Sequence, residues 1–276
     1  MQNRLFVAYK PAGISSNNFS KDIKRKFGVK KAGYSGTLDP FAKGVLIFAF
    51  GQFTKLFRFL DKTPKVYQAK LHLGAYSKTL DSEAIEEVKE IEQIDIKRID
   101  DILNSLKGEI EYLPPKFCAK SIDGQRAYKL AREGKEFELK KIKSKIFDIK
   151  ILNYTHPFLN FEIAVSEGAY IRSIGALIAQ KLGTVGALTS LERVREGNFI
   201  YEDERELNPL EYLKTEENSY LRDKNDILLG KKLLKDDFEK NEDGVYHIVI
   251  DNMLSVINID DGKVSYELNR IRMQGC

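Results

Sequence analysis

A chain of 276 residues, with 42% in the hydrophobic class and 31% charged, is long enough to bury one large core and a smaller one, and too apolar for wholesale disorder. Two cysteines, Cys118 and Cys276, exclude a disulfide framework, and His72, His156 and His247 are too scattered to give a metal-ligand spacing. The net charge of +4 excludes no partner by itself, but the absence of an apolar leader or of any span-length apolar run argues against secretion and against a membrane segment, so a cytoplasmic protein is expected.

Residues 4–10 read as a short strand that stops at the turn sequence Lys10-Pro11-Ala12-Gly13. Ser15 and Ser16 are N-caps for a helix reaching about residue 27, with Ile23 and Phe27 on one face. Residues 21–31 hold six Lys or Arg against one Asp, residues 140–150 are similarly basic, and residues 201–243 are acid-rich. That asymmetry fits either a basic face for a polyanion or a pair of solvated surfaces.

The stretch from Ala32 to Lys43 is crowded with small residues and carries one carboxylate, Asp39, ahead of Pro40. Proline pushes the preceding residue toward an extended conformation, so the carboxylate stands off the main chain. By residue type alone, Asp39 is either a turn cap or a nucleophile or base on a stiff loop. The uncharged run 44–50 is a buried strand, and 54–60 is a short helix. Residues 65–74 alternate, with Tyr67, Ala69, Leu71 and Leu73 on one side and Val66, Gln68, Lys70 and His72 on the other. Residues 83–92 read as an acidic surface connection, and 98–107 as an amphipathic helix ended by Gly108.

Further on, Lys120, Arg126, Lys129 and Arg132 surround Tyr128, a combination that can pair with phosphates and stack on bases. Two strands, 145–154 and 158–165, flank His156-Pro157, and Gly168 marks the passage into a helix over 170–182. Past residue 201 the composition shifts. Residues 227–234, 245–250, 253–259 and 263–271 read as short strands of a small second domain, with turns at Asp243-Gly244 and Asp261-Gly262. The expected division is 1–205 and 206–276.

Three widely separated motifs carry a family resemblance. They are Gly36-Thr37-Leu38-Asp39-Pro40 with Ala42 and Gly44, then Lys65-Val66-Tyr67 with Leu73-Gly74, then Ser166-Glu167-Gly168-Ala169-Tyr170-Ile171-Arg172-Ser173-Ile174-Gly175. Together with Lys10-Pro11 and the segment from Leu188 to Phe199, they resemble the TruB family of pseudouridine synthases, which isomerise uridine 55 in the T loop of tRNA. The resemblance implies an α/β (α+β) fold: a pseudouridine synthase core with a bent, mixed, mostly antiparallel sheet flanked by helices, followed by a small β-rich, PUA-like domain.

It also implies Asp39 as nucleophile, Tyr67 as the tyrosine stacked on the target base, and Arg172 as the partner that keeps Asp39 ionised. Tyr34, Tyr170, Leu191, Lys10 and Asp81 are implied around the substrate. The segment at about 114–140, with Lys120, Arg126, Lys129 and Arg132, is implied as an RNA-gripping insertion. Tyr34 stands where the family usually carries histidine. A tyrosine is not cationic near neutral pH, so stacking rather than acid–base chemistry is expected there. The partner implied is the T arm of tRNA; no cofactor, metal, membrane or obligate protein partner is expected, and a monomer is. Intact Asp39, Tyr67 and Arg172 argue against a non-catalytic RNA binder, and the compact insertion against a guide-RNA-dependent relative of the same fold.

Overall fold

The computed structural model describes residues 3–118, 120–122 and 124–273. Ala119, Asp123 and Cys276, which belong to the sequence reading, lie outside that set.

In chain order the elements are β1 (Arg4–Lys10), α1 (Ser16–Lys26), β2 (Ala32–Ser35), β3 (Lys43–Phe50), β4 (Lys65–Leu73), β5 (Ala75–Ser77), β6 (Ile85–Val88), α2 (Ile96–Ser105) and β7 (Gly108–Tyr112). They continue with β8 (Ser121–Ile122), β9 (Gln125–Arg126), α3 (Ala127–Arg132), β10 (Ile142–Thr155), β11 (Phe158–Val165), α4 (Ile171–Lys181) and β12 (Gly186–Glu196). The last are β13 (Glu216–Glu217), α5 (Asn225–Leu229), β14 (Gly244–Ile250), β15 (Met253–Asp260) and β16 (Lys263–Arg272).

The main sheet runs β1-β3-β12-β4-β11-β10-β7, with β2 also paired to β3. Every pairing in it is antiparallel except β12 with β3. The expected mixed, mostly antiparallel core is what the chain forms. The alternation of β4 decides its two faces: Leu71 and Leu73 bury against α2 and α4 through Ile99, Leu103, Ile174 and Ile178. Each such side chain contributes about 1.5–3 kcal/mol by leaving water.

β2 and β12 share one edge of β3. β2 pairs with residues 47–50, and β12 joins only at Lys43 and Gly44. The sheet therefore forks where the chain leaves β2. Gly44 makes the fork possible: its φ is 114°, and a Cβ there would sit 2.2 Å from the backbone oxygen of Arg193. Gly44→Ala is expected to cost about 3 kcal/mol, because strained backbone and an unyielding main-chain neighbour combine. A thermal midpoint unchanged from wild type would contradict this.

A second sheet, β13-β14-β15-β16, follows. Its Leu254 and Ile271, with Met273 just past β16, share a core with Leu5, Val7, Ile47 and Phe53, while the other face of β1 and β3 packs Phe6, Phe48 and Phe50 against Ile23 of α1. Four elements differ from the sequence reading. Residues 227–234 form no strand: α5 ends at Gly230, whose left-handed φ of 70° caps the helix. The connection at 83–92 contains β6, which pairs with β5, and β2 is a strand within the small-residue stretch. The expected helix at 54–60 is a 3-10 segment, Gly51–Arg58. No helix among the described residues is long and apolar enough to cross a membrane.

Candidate active site

The carboxylate of Asp39 sits on the loop between β2 and β3, and that loop is held by its backbone. Ser16, in the first turn of α1, accepts from the Leu38 N–H and donates to the Leu38 carbonyl, each at 2.9 Å. The Gly13 N–H donates to the Pro40 carbonyl at 2.8 Å. The fully buried Lys10 ammonium donates to the carbonyls of Pro11 (2.8 Å), Ile14 (2.7 Å) and Pro40 (3.4 Å). Lys10 thus lies beneath the loop. Burial pushes its pKa down to about 8, with the charge of Asp39 opposing that fall and Arg193 adding to it.

Arg172, in the first turn of α4, is 4% exposed and joins three segments. Its Nε donates to Asp39 Oδ2 at 2.8 Å, one terminal nitrogen donates to the Thr79 carbonyl at 2.7 Å, and the other donates to the Phe117 carbonyl at 2.9 Å. Asp81 Oδ2 lies 3.3 Å from the same guanidinium. Asp81 is fixed in turn by the Thr79 hydroxyl at 2.6 Å and the Glu83 N–H at 3.0 Å. It orients the arginine from behind the cavity.

Burial pushes the Asp39 carboxyl above its ordinary value, the Arg172 charge and hydrogen bond pull it back, Asp81 raises it further and Lys10 lowers it. The Asp39 side chain retains 35% exposure and opens into the cavity, so it remains reachable. Arg172 therefore opposes the effect of burial on Asp39.

The cavity has a volume of about 340 Å³. Asp39, Tyr67, Tyr170, Arg172 and Leu191 line it together, drawn from four distant parts of the chain. Tyr170 N–H donates to the Tyr112 hydroxyl at 3.0 Å, fixing the entry to α4. Burial, then the neighbouring Cys118 thiol, pushes the Tyr170 hydroxyl well above the usual tyrosine range. Lys120 also lines the cavity, while Arg126, Lys129 and Arg132 are exposed on and beside α3, with Arg132 5.8 Å from the Tyr128 ring centre. Tyr34 is not among the lining residues; its ring packs 5.8 Å from that of Phe48. Among the described residues, no group of three or more His, Cys, Asp or Glu is arranged to hold a metal ion.

Lys65, Glu167 and Arg193 also line the cavity, and sequence reasoning gave none of them a role. The signal for Lys65 was present: it is in phase with Tyr67 and Ala69 on β4. Chemically, the site offers a carboxyl group held by a guanidinium, two tyrosine rings, an aliphatic wall and a cationic border. That combination suits a flat, flipped base attached to a phosphate backbone.

A family model for the N-terminal domain of TruB family pseudouridylate synthases matches residues 24–171. The chain is 52% identical over 269 residues to tRNA pseudouridine synthase B of Campylobacter concisus, covering 98% of each chain. It is 53% identical over 270 residues to the protein of that name from Sulfurimonas denitrificans, covering 98% of this chain and 99% of the other. Among solved structures, a chain of a Cbf5-Nop10-Gar1 complex aligns with 72% of this chain at 26% identity and a TM-score of 0.56, the match spanning half of that chain. An H/ACA RNP bound to a substrate RNA containing 2′-deoxyuridine aligns with 98% of this chain and 85% of the other, at 18% identity and a TM-score of 0.66, a likeness of fold. With its motifs, its fold and nearly its whole length in agreement, this chain belongs to the TruB family of pseudouridylate synthases.

Proposed function

We propose that this protein converts uridine 55 in the T loop of tRNA to pseudouridine, in the cytoplasm, without cofactor and as a monomer. The observation that carries the reading is the Asp39–Arg172 pair at 2.8 Å in a cavity that also holds Tyr67 and Leu191, in a chain about half identical to proteins named for that activity. A base inside a folded loop is stacked, so it must be turned out before a side chain can reach it. Lys120, Arg126, Lys129 and Arg132 then hold backbone phosphates while Tyr67 stacks on the uracil.

In the reaction the N1–C1′ bond breaks, the uracil turns, and a C5–C1′ bond forms. C5 loses a proton and N1 gains one, so the product is an isomer and no oxidant or water is consumed. Asp39 supplies the nucleophile, Arg172 fixes its direction, and the Tyr67 hydroxyl takes the C5 proton. Residues 206–276 form a small PUA-like domain that follows the catalytic one.

The test is tritium release from 5-tritiated uridine in a T-arm stem-loop, with a second stem-loop carrying cytidine at position 55 and tritiated uridines elsewhere. Release from the first alone supports the assignment; release from neither, despite binding, rejects it.

Lys10 gives this reaction an alkaline limit. With its pKa at about 8 against an ordinary 10.5, the lysine is protonated in both folded and unfolded chains below pH 8. Between those values only the unfolded chain holds the proton, so this group makes the fold more stable as pH rises while the loop loses its cation. The single-turnover rate is therefore expected to fall as pH passes about 8 without a fall in thermal midpoint from this group. Lys10→Met should be slower and flat across that range; a wild-type profile flat to pH 9 would contradict the argument.

A further inference from the structure

A second charged cluster lies against the active-site loop, where Lys65 and Arg193 border the cavity. Arg193 is 1% exposed, Glu196 is wholly buried, and Lys65 is 5% exposed. Arg193 lies 2.8 Å from one oxygen of Glu196, and the Lys65 ammonium lies 3.0 Å from the other. Three ionisable groups buried in one place need a reason, because burying charge is costly even when it is paired.

Stability does not supply it. Neither Glu196 oxygen receives a hydrogen bond of good geometry, although each faces a cation. A buried pair satisfied by charge but not by directed hydrogen bonds is commonly no better than apolar side chains of similar size. The cluster is also built by a deliberate irregularity. Residues three apart on a regular strand point to opposite faces. Between Arg193, opposite Tyr67, and Arg195, opposite Val66, the register of β12 shifts by one residue. That bulge at Val194 returns Glu196, opposite Lys65, to the face that carries Arg193 and Tyr67, a use of bulges that re-aims side chains beside sites.

Arg193 thereby fills the fork between β2 and β12. Its Nε donates to the Val45 carbonyl at 2.8 Å, and one terminal nitrogen donates to the Gly36 carbonyl at 3.1 Å. Gly36 is the first residue after β2 and lies three residues before Asp39. Its φ is 67°, and a Cβ there would stand 2.7 Å from the Lys65 ammonium and 3.3 Å from Arg193. Leu38 and Pro40 are held from α1 and the 10–14 turn; Gly36 is held from β12. The loop is pinned on both sides of the nucleophile.

We infer that Arg193 is a positioning residue for the reaction, fixing the Asp39 loop through the Gly36 carbonyl, with Glu196 and Lys65 present to hold the guanidinium in its fork. The inference rests on the isomerase reading above. The planar guanidinium reaches two carbonyls and a carboxylate at once, which a single ammonium cannot do. Small displacements of a nucleophile cost about 10²-fold in rate, so the effect belongs in turnover rather than in RNA affinity.

The experiment uses the full-length chain, the tritiated T-arm stem-loop and two variants. In Arg193→Met/Glu196→Met the ion pair is replaced by apolar side chains of similar length, and the local charge balance is kept. Lys65 loses the carboxylate 3.0 Å away and keeps only Glu167 at 3.8 Å, so the thermal midpoint should fall, while RNA affinity stays near wild type and single-turnover release is about 10²-fold slower. Arg193→Lys keeps the charge and loses the two-carbonyl bridge, and should be as slow as the double variant. A double variant that folds and turns over at the wild-type rate would overturn the inference, as would Arg193→Lys at the wild-type rate should the double variant fail to fold. Wild type runs beside them: if it releases no tritium, the isomerase reading fails first.

Discussion

Asp39→Asn is expected to bind the T-arm stem-loop with wild-type affinity and to lose turnover by about 10⁴-fold or more, the scale seen when an activated nucleophile is removed. The amide has the shape of the carboxylate and its oxygen still accepts from Arg172 Nε, so the cavity keeps its form. Arg172 also keeps Asp81 at 3.3 Å and the Thr79 and Phe117 carbonyls, so no buried charge is orphaned. The stability sign follows from the direction of the Asp39 shift. Its folded pKa lies above the ordinary value, so whatever this group adds to stability is present at low pH and lost as pH rises through the folded pKa. Above the ordinary carboxylate range this acid is therefore a net cost to the fold, and Asn removes it. The thermal midpoint at pH 7 should be no lower than wild type. Tritium release within tenfold of wild type would show that the carboxylate is not the nucleophile.

How much of this was legible in the sequence depends on the type of constraint. The faces of β4 follow from simple alternation, and the same alternation set Tyr67 beside Lys65. Asp39 by itself read more readily as a turn residue; only its company in three ordered motifs marked it. β12 could not be read by alternation, because its two register shifts place Leu188 with Leu191, and Arg193 with Glu196, on one face. Lys65, Arg193 and Glu196 belong to residue types usually found in water, and nothing local announces that they are buried. Short apolar windows are ambiguous between helix and strand, which is why residues 227–234 misread: α5 is set by its packing and its Gly230 cap. The core shared by β1, β3 and the C-terminal sheet joins residues some 250 positions apart, such as Leu5 and Leu254. No periodicity in either segment encodes that pairing.

Arg172→Ala should fail in two measurable ways, and the difference between them tests the ion-pair argument. Removing the guanidinium leaves Asp39 and Asp81 without the cation between them, and leaves the Thr79 and Phe117 carbonyls without their donor. Breaking a buried pair from one side costs about 3–5 kcal/mol; the low end applies, since Asp39 keeps contact with water. Turnover should fall further than folding alone explains, because the carboxylate loses its aim and its pKa rises again. The two forces that oppose burial at Asp39 are led by Arg172; without it the acid limb of the rate profile moves to higher pH. Arg172→Lys separates charge from geometry. An ammonium can restore part of the charge, and with it part of the pH shift, but it cannot span Asp39, Thr79 and Phe117 together. The lysine variant should recover the position of the acid limb more than the maximal rate. Phe117 lies in the segment that leads to Lys120, so both variants should also expose the amides of Lys116, Phe117 and Cys118 to faster exchange. Full turnover in Arg172→Ala, with an unmoved acid limb, would leave the 2.8 Å contact as a structural tie without a part in the chemistry.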